Sequence, residues 1–115
     1  MKFMKRAAVL VAASALILTG CAADGGSETA PEVNTDAEFE AGTTMAKLNE
    51  AGKITIGTKF DQPLFGLQGP SGNPEGFDVE IGKLIAAELG ISEGDIEWVE
   101  AVSANREPFI ESGKV

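Results

Sequence analysis

Two stretches whose apolar residues alternate with polar ones, Lys53 to Thr58 and Asp95 to Ala101, flank a stretch from Asp78 to Leu89 whose apolar residues recur every three or four positions. Period two marks a strand and period 3.6 a helix, so the order is strand, helix, strand. A helical crossover lets the two strands run parallel in one sheet, and such a unit is right-handed. The strand ends at Thr58 and Ala101 then share one edge. Ligands of open α/β sheets bind at that edge.

The punctuation agrees with this order. Met45 to Ala51 reads as a short helix with Thr44 as N-cap and Gly52 as its stop. Lys59 to Gly76 reads as loop, dense in turn residues at Gly69-Pro70-Ser71-Gly72-Asn73-Pro74, with a short strand expected around Phe65 to Gln68. In the central helix Phe77, Ile81, Leu84, Ile85 and Leu89 form the apolar stripe, and Asp78 can cap the start. Gly82 inside that helix costs about 1 kcal/mol relative to Ala, which points to close packing there. Ser103 to Pro108 opens a last helix with Asn105 as N-cap and Gly113 as its end, and Lys114-Val115 reads as the start of a third strand.

Composition removes several functions. Cys21 is the single cysteine and there is no histidine, so disulfide frameworks, the usual zinc sites and His-based catalytic pairs are excluded within this chain. No cofactor is called for. Setting aside residues 1–20, which hold Lys2, Lys5 and Arg6, leaves 6 − 18 = −12 in formal charge. A surface of that sign repels phosphate backbones, so nucleic acid is not an expected partner.

Met1 to Arg6 is basic, and Ala7 to Leu18 is apolar apart from Ser14, too short for a stable membrane span. Residues 1–20 thus read as a secretory signal. Leu18-Thr19-Gly20-Cys21 resembles the bacterial lipobox, which implies that Cys21 carries a diacylglycerol and that the protein sits, lipid-anchored, on the extracytoplasmic face of the cell membrane. Ala22 to Thr43 has six acidic and no basic residues, so residues 21–43 read as a lipidated cysteine and a disordered acidic tether. Residues 44–115 are the part expected to fold.

At the shared strand edge, Lys59 follows the first strand, and Ser103 and Arg106 follow the second. Two cations, a hydroxyl and free backbone N–H groups outline a site for an anion or carboxylate. A solvated pair of surface charges accounts for the same spacing. Glu75, Asp78 and Glu80 read as capping and solvation and not as a catalytic carboxylate pair. Phe60, Phe65 and Trp98 read as core or loop anchors.

Gly76-Phe77-Asp78-Val79-Glu80-Ile81, with Ile85-Ala86 and Leu89 at the matching spacing, resembles the signature of family 3 extracellular solute-binding proteins, the polar amino-acid receptors of ABC importers. Ile56 to Pro63 and Ser103 to Pro108 are similar to the glutamate and aspartate branch of that family. The resemblance spans Met45 to Val115. It implies an α/β, periplasmic-binding-protein-like (type II) lobe, represented here by its N-terminal β-α-β-α part. It further implies a receptor, not an enzyme, that presents an amino acid to an ABC permease and its ATPase, with Lys59 and Arg106 receiving an acidic side chain and Ser103 a polar contact beside them. The alternative is a solute-binding-like sensory module of a lipid-anchored peptidoglycan-cleaving enzyme. The rest of the family's ligand site and its second lobe match nothing before Val115, so the chain as it stands is expected to bind ligand weakly.

Overall fold

Ile54–Thr58 (β1) and Ile96–Glu100 (β5) form a parallel pair in the computed structural model, which describes residues 29–115. The signal segment, Cys21 and the first residues of the tether lie outside the described residues. Ile54 faces Ile96 in register, Ile56 faces Trp98 and Thr58 faces Glu100, and the Ala101 amide donates to the Thr58 carbonyl at 2.7 Å. The strand–helix–strand order therefore gives the parallel ladder that the two hydrophobic periods require.

Thr44–Ala51 (α1) precedes β1. Its cap is Thr43, one residue earlier than the sequence expectation, with the Ala46 amide donating to Thr43 Oγ1 at 3.2 Å; Gly52 ends the helix at φ +64°. Between β1 and the crossover helix, Asp61–Gln62 (β2), Gly66–Gln68 (β3) and Pro74–Glu75 (β4) make a small antiparallel sheet in the order β2-β3-β4. The expected strand around Phe65 to Gln68 is its middle member.

Phe77–Glu88 (α2) is the crossover helix. Asp78 lies in its first turn but makes no capping bond; the N-cap is Gly76, and the loop carbonyls of Leu64 and Phe65 accept from the Phe77 and Asp78 amides at 2.8 and 3.0 Å. Gly76 has φ +133°, and a Cβ there would come within 2.5 Å of the Phe65 carbonyl oxygen. The motif glycine is thus where the loop backbone crosses the helix start.

Of the stripe expected from apolar spacing, only Leu89, just past the end of α2, is buried. Val79, Gly82, Ala86 and Ala87 are buried, whereas Leu84 and Ile85 are 51% and 53% exposed, and Phe77 and Ile81 are also exposed. Small residues let the helix lie close on β1 and β5, and the larger apolar ones point away. At Gly82 the expected close packing is present, because an added Cβ would lie 2.7 Å from Trp98 Cη2. The core is Ala86, Leu89, Ile91 and Ile96, with Phe39, Leu48, Ile54, Ile56 and Trp98 against it.

Residues 29–43 also differ from expectation, in that this part of the tether is docked. The Asn34 amide donates to the Ala87 carbonyl at 2.9 Å, Phe39 packs on the core, and Asn49 Nδ2 of α1 donates to the Leu89 carbonyl at 2.8 Å. The last turn of a helix leaves its carbonyls short of intrahelical partners, and the chain before β1 supplies two donors at this end, to Ala87, which also accepts from the Gly90 amide, and to Leu89. Beyond β5, a 3-10 turn at Ser103–Asn105 leads into Arg106–Glu111 (α3); Asn105 occupies the cap position but its side chain makes no cap bond. Lys114-Val115 form no strand among the described residues, although Val115 Cγ1 lies 3.2 Å from the position of a Cβ on Gly57 of β1.

Candidate ligand site

The C-terminal ends of β1 and β5 carry the residues that sequence reasoning singled out. Thr58, the last residue of β1, is buried, and Lys59 follows it. The β2–β3 hairpin folds back onto this point: the Gln68 amide donates to the Phe60 carbonyl at 2.9 Å, and a Cβ on Gly66 would overlap the Lys59 carbonyl oxygen. Lys59 Nζ is held 3.2 Å from Asp61 Oδ1, with the lysine side chain 23% exposed and the aspartate 64%.

On the second strand, buried Ala101 is followed by exposed Ser103 at the head of the 3-10 turn and by exposed Arg106 at the start of α3. Arg106 lines a cavity of about 250 Å³ together with Gly57, Thr58, Asp78, Ala101 and Ile110. Neither Lys59 nor Ser103 lines it. The structure thus brings the three predicted residues to one edge of the sheet but only Arg106 into this cavity.

Two acids at the edge escaped the sequence reading as site residues. Asp61 stands two positions after Lys59, and residues at that spacing in extended chain project to the same side, which was the available signal. Asp78 reaches the Arg106 cavity because α2 returns antiparallel to the strands, so its first turn lies over their C-terminal ends. Lys59 therefore has an acid paired with it, and Arg106 shares its cavity with one.

A larger cavity of about 600 Å³ opens between the β4 region, α2 and the 3-10 turn at Glu93–Asp95. Its cation is already engaged, since Lys83 Nζ lies 2.8 Å from Glu80 Oε1 and 3.2 Å from Glu93 Oε1. Partial burial acts to lower the Lys83 pKa, but the hydrogen bonds and charges of Glu80 and Glu93 outweigh it and raise the pKa above the ordinary 10.5. Lys83 is a staple between α2 and the turn. Of the three acids near the α2 start, Glu80 belongs to this staple, Glu75 lies in β4 and Asp78 lines the smaller cavity. The smaller cavity, at the strand ends, is the better ligand candidate because it combines the Arg106 guanidinium, which makes no ion pair among the described residues, with the edge where parallel sheets bind ligands. Its lining sets one guanidinium, Arg106, and one carboxylate, Asp78, on the same cavity.

The sequence profile of the bacterial extracellular solute-binding proteins, family 3, matches residues 54–115. The chain is 34% identical to the glutamine-binding protein of Geobacillus stearothermophilus over 94% of this chain and 42% of that protein. It is 36% identical to a glutamate-binding protein of Corynebacterium efficiens over 68% of this chain and 28% of that protein. Among solved structures, the solute receptor for L-cysteine of Neisseria gonorrhoeae superposes with a TM-score of 0.59 at 42% identity, over 64% of this chain and 30% of that one. The chain spans less than half the length of these relatives.

Proposed function

From the premise that the chain belongs to the bacterial extracellular solute-binding proteins, family 3, we propose that it is the N-terminal part of a lipid-anchored amino-acid receptor serving an ABC importer. The ligand is a polar amino acid, glutamate or aspartate in this reading, and the named relatives bind glutamine, glutamate and cysteine. Lys59 and Arg106 receive the ligand's side-chain carboxylate, and Ser103 adds a hydroxyl contact. Cys21 carries the lipid, and an ABC permease with its ATPase receives the ligand on the extracytoplasmic side.

The observation that carries this reading is the position of Lys59 directly after β1 and of Arg106 beyond the 3-10 turn that follows β5, with a cavity of about 250 Å³ beside Arg106. Charge-assisted bonds from such positions orient a small carboxylate strongly. Thermal unfolding of the complete receptor in the presence of each common amino acid tests it. Ligand at 100 times Kd adds about 2.7 kcal/mol to the stability of a protein that binds it only when folded. Glutamate or aspartate should raise the midpoint most, and a midpoint unmoved by every amino acid would refute the reading.

A further inference from the structure

Asp61 is placed to compete with the ligand for Lys59. Its Oδ1 stands 3.2 Å from Nζ, and the Asp61 backbone is held in the β2–β3 ladder. Asp61 pairs with Leu67 and Gln62 with Gly66 in the β2–β3 ladder, the Phe65 amide closes the hairpin onto the Gln62 carbonyl at 3.3 Å, and Gly66 lies against the Lys59 carbonyl. The pair is therefore built into the hairpin. Asp61 is short and its backbone is held by the ladder, so less side-chain freedom is lost in this pair than between two long exposed side chains.

A lysine ammonium has three donors, and Asp61 takes one of them. An arriving side-chain carboxylate meets an ammonium already partly neutralised, with a second carboxylate a few ångströms away. That spacing is well inside the Debye length of about 8 Å at physiological ionic strength, so the repulsion is not screened out. A neutral side-chain amide accepts a hydrogen bond from the same ammonium without that repulsion. We infer that Asp61 is a specificity-determining positioning residue: acting through Lys59, it narrows the receptor's preference for amino acids with a carboxylate side chain over those with an amide. This rests on the proposed ligand role of Lys59.

The test is calorimetric titration of the complete receptor with L-glutamate and with L-glutamine, for the wild type, Asp61→Asn, Asp61→Glu, Lys59→Gln and the Lys59→Gln/Asp61→Asn pair. Asp61→Asn should tighten glutamate binding about five-fold, the scale of one partly exposed charge interaction, and leave glutamine within about two-fold. Asp61→Glu should return the ratio towards wild type, and the Asp61→Asn shift should vanish when Lys59 is already Gln. An unchanged glutamate-to-glutamine ratio in Asp61→Asn, an equal loss for both ligands, or a shift that persists without Lys59 would each overturn the role of Asp61 while leaving the receptor reading intact. Wild-type protein that bound neither ligand would overturn both.

Discussion

Replacing Gly82 by alanine sets two effects of similar size against each other, and the structure decides between them. In a helix interior the change recovers about 1 kcal/mol of intrinsic propensity. The new methyl, however, would lie 2.7 Å from Trp98 Cη2, 3.2 Å from Trp98 Cζ3 and 3.4 Å from Ile56 Cδ1. The first two atoms belong to a rigid ring, and Ile56 and Trp98 face each other across the β1–β5 ladder, so neither yields without moving α2 or the sheet. Overpacking of this kind costs about 1–3 kcal/mol, which leaves a net loss of about 1 kcal/mol. Urea denaturation of the complete protein followed by far-UV circular dichroism should show a lower midpoint at unchanged slope. Trp98→Phe removes the outer ring, and in that background Gly82→Ala should lose most of its penalty. Gly94, where a Cβ would meet nothing within 4 Å, is the control and should change by less than about 0.5 kcal/mol as alanine. A Gly82→Ala protein stabilised by the full propensity gain would refute the reasoning, since the ring would then be free to give way.

Arg106→Ala should weaken binding of glutamate by about ten-fold or more and glutamine far less, because it removes a charge-assisted bond to the side chain; titration with both ligands checks it, and equal losses would remove the side-chain role. Cys21→Ser should move the protein from the membrane to the soluble fraction, as read by fractionation and immunoblot. Because the Lys83 pKa is raised in the folded protein, its contribution to stability is complete below 10.5 and is lost as pH rises through the higher folded value. Melting temperatures between pH 9 and 11.5 should therefore fall more steeply for wild type than for Lys83→Met.

The parallel pair was legible because both strands alternate and the segment between them does not, and Gly82 was legible because a glycine inside a helix needs a reason. The burial of α2 was harder to read. Its sequence is apolar on two sides, and periodicity weighted the large residues Phe77, Ile81, Leu84 and Ile85 over the small ones that let the helix sit on the sheet. The small antiparallel sheet was seen only in part, since Asp61–Gln62 and Pro74–Glu75 are two residues each and carry no period. At the candidate site, Lys59 and Arg106 could be picked out as cations after strands in an acidic chain. Asp61 and Asp78 looked like ordinary solvated acids until the hairpin and the returning helix brought them to the same edge. Asn34 and Phe39 were hidden by the acidic composition around them, because a donor to a helix end twice removed in sequence leaves no local mark.

The docking of Asn34 and Phe39 decides where this protein can be cut. A recombinant piece beginning at Thr44, where the first helix starts, would lose the Asn34 donor to Ala87 and remove the Phe39 ring from the core cluster it packs against. A piece beginning a residue or two before Asn34 keeps both. The Asn34 amide is thus a fastening point for the chain that precedes the first helix. That fastening sits at the C-terminal end of α2, opposite the edge that holds Lys59 and Arg106. If the protein is held at Cys21 as proposed, its folded part is attached on the side away from its candidate ligand edge.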